Sequence, residues 1–97
     1  MGSSLAYSVC RAAGLHLMRC LAATHGPKVR VNVVLPGLVK TDRIASLGPG
    51  YVEETKRMAV LNRITTAEEV ALAFVFAAKN SGLTGERIRV DSGAVIV

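Results

Sequence analysis

Apolar residues recur at three- and four-residue steps near the start of the chain, and this spacing predicts a first helix. Ser3 or Ser4 can cap the helix, and Gly26 and Pro27 end it after about Thr24. The residues on its apolar side are Leu5, Val9, Ala12, Ala13, Leu15, Met18, Leu21 and Ala22. The first quarter of the chain is therefore expected to be helical.

A run rich in β-branched residues follows this helix. It extends from Val29 to Leu35 and ends at Pro36 and Gly37. Because the run is nearly continuously apolar, it predicts a strand that is buried on both faces inside a sheet.

The segment from 38 to 65 has a less regular pattern. Gly48-Pro49-Gly50 is expected to break regular structure, and Val52 to Leu61 is expected to form a short helix. A segment of this kind between two regular elements predicts a loop or lid, which we place at 42–65.

The last third of the chain predicts a second helix and a second strand. Thr66 and Glu69 have the spacing of a capping box, and the helix that they open is expected to end between Asn80 and Gly82. Arg87 to Val90 follows as a short strand. The order of helix, strand, lid, helix and strand favours the α/β class with a parallel strand pair.

Composition limits the classes of partner. The chain has 97 residues, so it is one domain at most, and its four aromatic residues are too few for a base-stacking surface. The net charge of +5 is spread along the chain without a basic block, so we expect no nucleic-acid partner. Arg11, His16 and Arg19 interrupt the only long apolar run, and this predicts no membrane span.

Cysteine and histidine spacing indicates neither a disulfide nor a metal site. Cys10 and Cys20 lie ten residues apart on one predicted helix, about 15 Å along its axis, which is too far for a direct disulfide. His16 and His25 lack the spacing of metal ligands. We therefore expect no metal and a reducing compartment, the cytoplasm.

Three separated segments resemble the short-chain dehydrogenase/reductase family, in the right order and spacing. Tyr7-Ser8-Val9-Cys10-Arg11 resembles the Tyr-x-x-x-Lys helix of the family, with Arg11 in place of the lysine. Asn32 to Thr41 is similar to its strand-to-lid Pro-Gly motif, and Leu83 to Gly93 is similar to its closing turn and last strand. Together the three segments span nearly the whole chain.

The resemblance implies an oxidoreductase that uses NAD or NADP and acts on a small-molecule alcohol/carbonyl pair. Hydride transfer needs an acid/base group beside the nicotinamide ring, and this group is a tyrosine in the family. An ordinary tyrosine has a pKa of about 10, and a cation one helical turn away favours its phenolate form. The resemblance thus assigns catalytic roles to Tyr7 and Arg11.

The same resemblance assigns the cofactor contacts. Arg11 stands where the family's lysine also bonds the cofactor ribose, but a guanidinium differs from an ammonium as a donor. The Pro-Gly motif places Pro36, Gly37, Val39 and Thr41 at the nicotinamide end of the cofactor.

The expected fold is a partial Rossmann-like, doubly wound parallel sheet that lacks the N-terminal strands. No G-x-G-x-x-G turn for a dinucleotide pyrophosphate occurs in the sequence. We therefore expect the C-terminal half of such an enzyme, truncated and inactive alone. A piece that works with the missing half, and a non-catalytic binding or dimerisation module derived from the fold, are the alternatives. A homo-oligomer, or association through an exposed strand edge, is expected in each case.

Overall fold

A computed structural model describes residues 5–39 and 46–94 of the chain. In these parts the chain forms three helices and two strands: α1 Leu5–His25, β1 Val33–Pro36, α2 Pro49–Met58, α3 Ala67–Lys79 and β2 Arg87–Val90. This order confirms the α/β class and the sequence of elements predicted above. The predicted caps Ser3 and Ser4 and the lid residues 42–45 lie outside the described residues.

The two strands form a parallel sheet. Val33 lies opposite Arg87 and Pro36 lies opposite Val90, with the register continuous between these pairs. Helix α3 precedes β2 in the chain and packs on both strands. The parallel pair predicted from the order of elements is therefore confirmed.

Strand β1 is shorter than predicted: it begins at Val33, whereas the sequence predicted a start at Val29. Arg30 and Asn32, within the predicted strand, bond the end of α3 and the turn before β2 instead. The Arg30 guanidinium donates at 2.8, 2.9 and 3.0 Å to three carbonyl oxygens, those of Ala77, Ala78 and Leu83. The bonds to Ala77 and Ala78 satisfy carbonyl groups that a helix leaves unpaired at its C-terminus, and the bond to Leu83 reaches the turn that follows.

The prediction that this strand is buried on both faces is wrong for the described residues. Val33, Val34 and Leu35 are half-buried and Pro36 is exposed. The reason is that β1 has a single partner strand within the described parts of the chain, so one edge and much of its surface remain open.

Helix α3 begins with the predicted capping box. The Thr66 hydroxyl accepts from the Glu69 backbone N–H at 3.2 Å, and the Glu69 carboxylate accepts from the Thr66 backbone N–H at 2.8 Å. The helix ends at Lys79, where Asn80 turns to an extended conformation. Both predicted boundaries are thus confirmed to within one residue.

Helix α2 begins three residues earlier than predicted. Pro49 and Gly50, which were expected to break regular structure, form its first turn. Proline suits the first turn of a helix because its φ is already helical and its missing N–H would have no partner there. The helix ends at Met58 because Ala59 is extended, which is three residues before the predicted end.

The buried core is small. Its apolar members are Met18, Ala22, Ala59, Ile64 and Ala73. Several larger apolar side chains are exposed on α1 and α3, among them Leu5 at 83% and Leu72 at 67%. No described helix has both the length and the apolarity needed to cross a bilayer.

Candidate active site

The first turns of α1 bring Tyr7 and Arg11 together. Residues four apart lie on one side of a helix, and Arg11 Nη1 donates to Tyr7 Oη at 3.2 Å. The Arg11 guanidinium carbon also lies 5.6 Å from the centre of the Tyr7 ring, within the range of a cation–π contact. The pair predicted from the sequence is therefore formed, and it is exposed to solvent.

Arg11 lines a groove between α1 and β1. The groove has a volume of about 360 Å³, and Pro36 lies in its wall with Arg11. Its other lining residues are Cys10, Gly14, Leu15, Val33, Val34 and Leu35. The groove therefore joins the first of the resembling segments to the second.

Gly37 continues the chain from β1 into a close contact with β2. Its backbone N–H donates to the Val90 carbonyl oxygen at 2.9 Å. A Cβ atom at this position would lie 2.6 Å from the Asp91 Cβ and 2.9 Å from the Asp91 Cα. Only glycine fits here, because these distances are shorter than any ordinary carbon–carbon contact.

Val39 lies beyond this turn and is held by a different neighbour. It forms an isolated parallel bridge with Thr65. The buried hydroxyl of Thr65 is in turn hydrogen-bonded to the buried Ser92 hydroxyl at 2.8 Å. The segment after β1 is thereby held against the residue that precedes the N-terminus of α3, and through it against the segment after β2.

A second groove, of about 420 Å³, lies between the start of α3 and the end of β2. In its wall, two nitrogens of Arg63 donate to the two carboxylate oxygens of Glu69, at 2.7 and 2.5 Å. These bonds and the backbone N–H of Thr66 hold the pKa of Glu69 at about 2, below its usual 4.5. Glu69 is thus an ionised structural group that secures the capping box.

The structure unites part of the predicted site. Tyr7 bonds Arg11, and Arg11 shares a groove with Pro36. Gly37 and Val39 lie just past the groove, against Asp91 and Thr65. Thr41, the remaining predicted cofactor contact, lies outside the described residues.

Six groove residues were not predicted as site residues: the three β1 residues 33–35, and three residues on α1, namely Cys10, Gly14 and Leu15. Gly14 leaves part of the wall open, because a Cβ atom there would meet nothing within 4 Å. The three α1 residues lie within one turn of Arg11 on the helix, so helical spacing could have identified them. Within the described ranges, no three His, Cys, Asp or Glu side chains converge on a metal-binding arrangement.

The sequence matches a known protein family over almost its whole length. A family described as enoyl-(acyl carrier protein) reductase matches residues 1–95. The 3-oxoacyl-[acyl-carrier-protein] reductase FabG of Chlamydia muridarum is 33% identical over 90 residues, which cover 90% of this chain and 36% of that protein. The 3alpha-hydroxysteroid dehydrogenase of Mediterraneibacter gnavus is 34% identical over 95 residues, covering 95% and 38%.

Solved structures show the same likeness. A small-chain dehydrogenase crystallised in complex with NADPH superposes with a TM-score of 0.80 at 32% identity, covering 89% of this chain and 41% of that chain. The chain thus spans between a third and a half of the relatives that it matches. From the match over residues 1–95 and this shared fold, the chain belongs to the short-chain dehydrogenase/reductase family.

Proposed function

We propose that this chain carries the catalytic helix and the nicotinamide end of an NAD(P)-dependent oxidoreductase that acts on an alcohol/carbonyl pair. The observation that carries the proposal is the bond from Arg11 Nη1 to Tyr7 Oη at 3.2 Å, beside a groove that contains Pro36. Relatives named as an oxoacyl reductase and a hydroxysteroid dehydrogenase support this class of substrate, because each name denotes a carbonyl or alcohol group.

In this proposal Tyr7 is the acid/base group. During reduction, Tyr7 Oη gives its proton to the carbonyl oxygen of the substrate, and during oxidation it takes the proton from the hydroxyl group. Arg11 donates to the same oxygen, so its permanent charge stabilises the phenolate that remains after the proton leaves. Tyr7→Phe therefore removes the proton transfer, whereas Arg11→Gln removes the charge beside it.

The α1–β1 groove fits one end of a nicotinamide dinucleotide. Its volume of about 360 Å³ is near the lower end of the range of roughly 300–1,000 Å³ for small-molecule sites, which suits a nicotinamide riboside unit better than a whole dinucleotide. Arg11 and Pro36 would hold this unit, with Gly37, Val39 and Thr41 completing the contacts after β1. When bound, the cofactor supplies or accepts the hydride.

The remaining parts of the proposal concern the chain as a whole. The segment 42–65, which contains α2, serves as the substrate lid, and exposed apolar residues there, such as Tyr51 and Met58, support contact with a substrate. We propose a cytoplasmic, oligomeric protein. We also propose that the chain has no activity alone, since it spans about 36–38% of these curated relatives.

A non-catalytic dimerisation module is the second candidate. It is favoured by the exposed apolar side chains of α1, because Leu5, Val9 and Leu17 are each more than half exposed. A helix with such a surface is suited to pairing with another helix.

A thermal melt of the purified chain separates the two candidates. If the chain is part of an oxidoreductase, NAD(H) or NADP(H) at millimolar concentration should raise its Tm. Arg11→Gln should abolish this rise in Tm. Tyr7→Phe should leave the shift in place, because Tyr7 does not line the groove. If the chain is a non-catalytic dimerisation module, none of the cofactors should shift its Tm, and Arg11→Gln should have no cofactor-dependent effect.

A further inference from the structure

Two arginines line the same two grooves between α1 and the start of β2. Arg19 lies on α1, and Arg87 is the first residue of β2. They line a groove of about 240 Å³ with Ala12, Leu15 and His16. They also line an adjoining groove of about 360 Å³ with Gly85 and Glu86. We call the two adjoining grooves together the basic cleft.

Both guanidinium groups of the basic cleft are available to a ligand. Within 5–39 and 46–94, neither forms an ion pair, and neither side chain donates a hydrogen bond. Two other arginines are engaged, since Arg30 caps α3 and Arg63 binds Glu69, whereas Arg89 has no side-chain partner within the described ranges and lines a different groove. Arg19 and Arg87 are also exposed, so a ligand can reach them from solvent.

The charge of the cleft favours an anion. Glu86 is the only carboxylate among the residues that line its two grooves, and it pairs with neither arginine. Two positive groups that border one space repel each other unless an anion lies between them. An arginine on an edge strand can serve to prevent pairing with another chain, but this role does not explain why Arg19 borders the same space from a helix.

We propose that the basic cleft binds the phosphate group of a small anionic ligand. A guanidinium presents a planar fork of donors that matches phosphate oxygens, and two forks from different elements can hold one phosphate group from two sides. The concave shape and the volumes of about 240 and 360 Å³ suit a small ligand rather than a flat macromolecular surface.

The arginines of this site lie away from the groove beside Tyr7, although Leu15 lines both spaces. Arg11 and Arg19 are eight residues apart on α1, which corresponds to about 12 Å along the helix axis. The two sites therefore require different probes. Inorganic pyrophosphate contains no nicotinamide and nicotinamide riboside contains no phosphate, and the two sites are told apart by which residues shift: 16–19 and 85–87 for the basic cleft, Arg11 and Gly14 for the α1–β1 groove.

The experiment is an NMR titration of the isotope-labelled chain with inorganic pyrophosphate, with the ionic strength held constant by sodium chloride. We expect saturable shifts of the amide signals of residues 16–19 and 85–87. Arg19→Gln and Arg87→Gln should each weaken binding about tenfold, the effect of losing one charge-assisted contact. Arg87→Lys, which keeps the charge but loses the fork, should bind more weakly than the wild type and more tightly than Arg87→Gln.

Arg57→Gln is the matched control. It removes the same charge from α2, where Arg57 is paired with Glu54, and it should leave pyrophosphate binding unchanged. Shifts that do not saturate, or an equal loss of binding in Arg57→Gln, would overturn the proposal. So would an acidic peptide that shifts these signals while pyrophosphate does not, because the cleft would then be a protein-binding surface. None of these outcomes depends on whether the chain binds nicotinamide.

Discussion

Replacing Gly37 with alanine should destabilise the chain strongly. The new Cβ atom would lie 2.6 Å from the Asp91 Cβ and 2.9 Å from the Asp91 Cα, so the turn after β1 must move away from β2. Overpacking of this kind costs about 1–3 kcal/mol. The movement also strains the bond from the Gly37 N–H to the Val90 carbonyl, which contributes about 1 kcal/mol. We expect a loss of about 2–3 kcal/mol and a fall in Tm on the order of 10 °C.

Gly14→Ala is the matched control for this prediction. Gly14 lies inside α1, and a Cβ atom there would meet nothing within 4 Å, so alanine should stabilise the helix by about 0.5–1 kcal/mol. Urea unfolding of the two variants should therefore give shifts of opposite sign. A Gly37→Ala chain within about 0.5 kcal/mol of the wild type would refute the reasoning, because this is the ordinary range for a neutral surface substitution.

Three further predictions concern residues that hold the fold together. The folded pKa of Glu69, about 2, lies below its unfolded value, so its contribution to stability is present above pH 4.5 and lost as the pH falls towards 2. In denaturant melts, Glu69→Gln should therefore be less stable than the wild type at pH 6, and the difference should narrow as the pH falls from 4.5 towards 2; a constant difference would contradict this. Ser92 has a φ of 57°, a left-handed conformation that glycine adopts more readily than alanine. Both Ser92→Gly and Ser92→Ala lose the hydrogen bond to Thr65, so Ser92→Gly should be the more stable of the two by about 1 kcal/mol, and equal free energies of unfolding would contradict this. Arg30→Gln should speed hydrogen exchange in the last turn of α3, and unchanged exchange there would show that the three bonds contribute little.

Local signals in the sequence predicted much of the fold. The Thr66 and Glu69 capping box located the start of α3, because both of its hydrogen bonds join residues three apart. The spacing of Tyr7 and Arg11 predicted their contact for the same reason, since a helix places residues four apart on one side.

Features that depend on distant residues were not predictable in this way. The start of β1 was misplaced because the Val31 backbone N–H donates to the Thr84 hydroxyl rather than to a strand carbonyl, and a β-branched run does not reveal such a distant partner. The need for glycine at 37 likewise arises from its contact with Asp91. The helix at Pro49 was missed because Gly-Pro-Gly was interpreted as a break, although proline is favoured in a first helical turn.

The most direct test of the account is an NMR titration of the chain with nicotinamide riboside. We expect saturable shifts at Arg11, Gly14 and Leu15 and along β1, the residues that line the groove. Arg11→Gln should weaken these shifts, and Arg57→Gln should leave them unchanged. If nicotinamide riboside perturbs none of these residues, or if Arg11→Gln and Arg57→Gln have the same effect, the α1–β1 groove is not the nicotinamide site and the central claim is wrong.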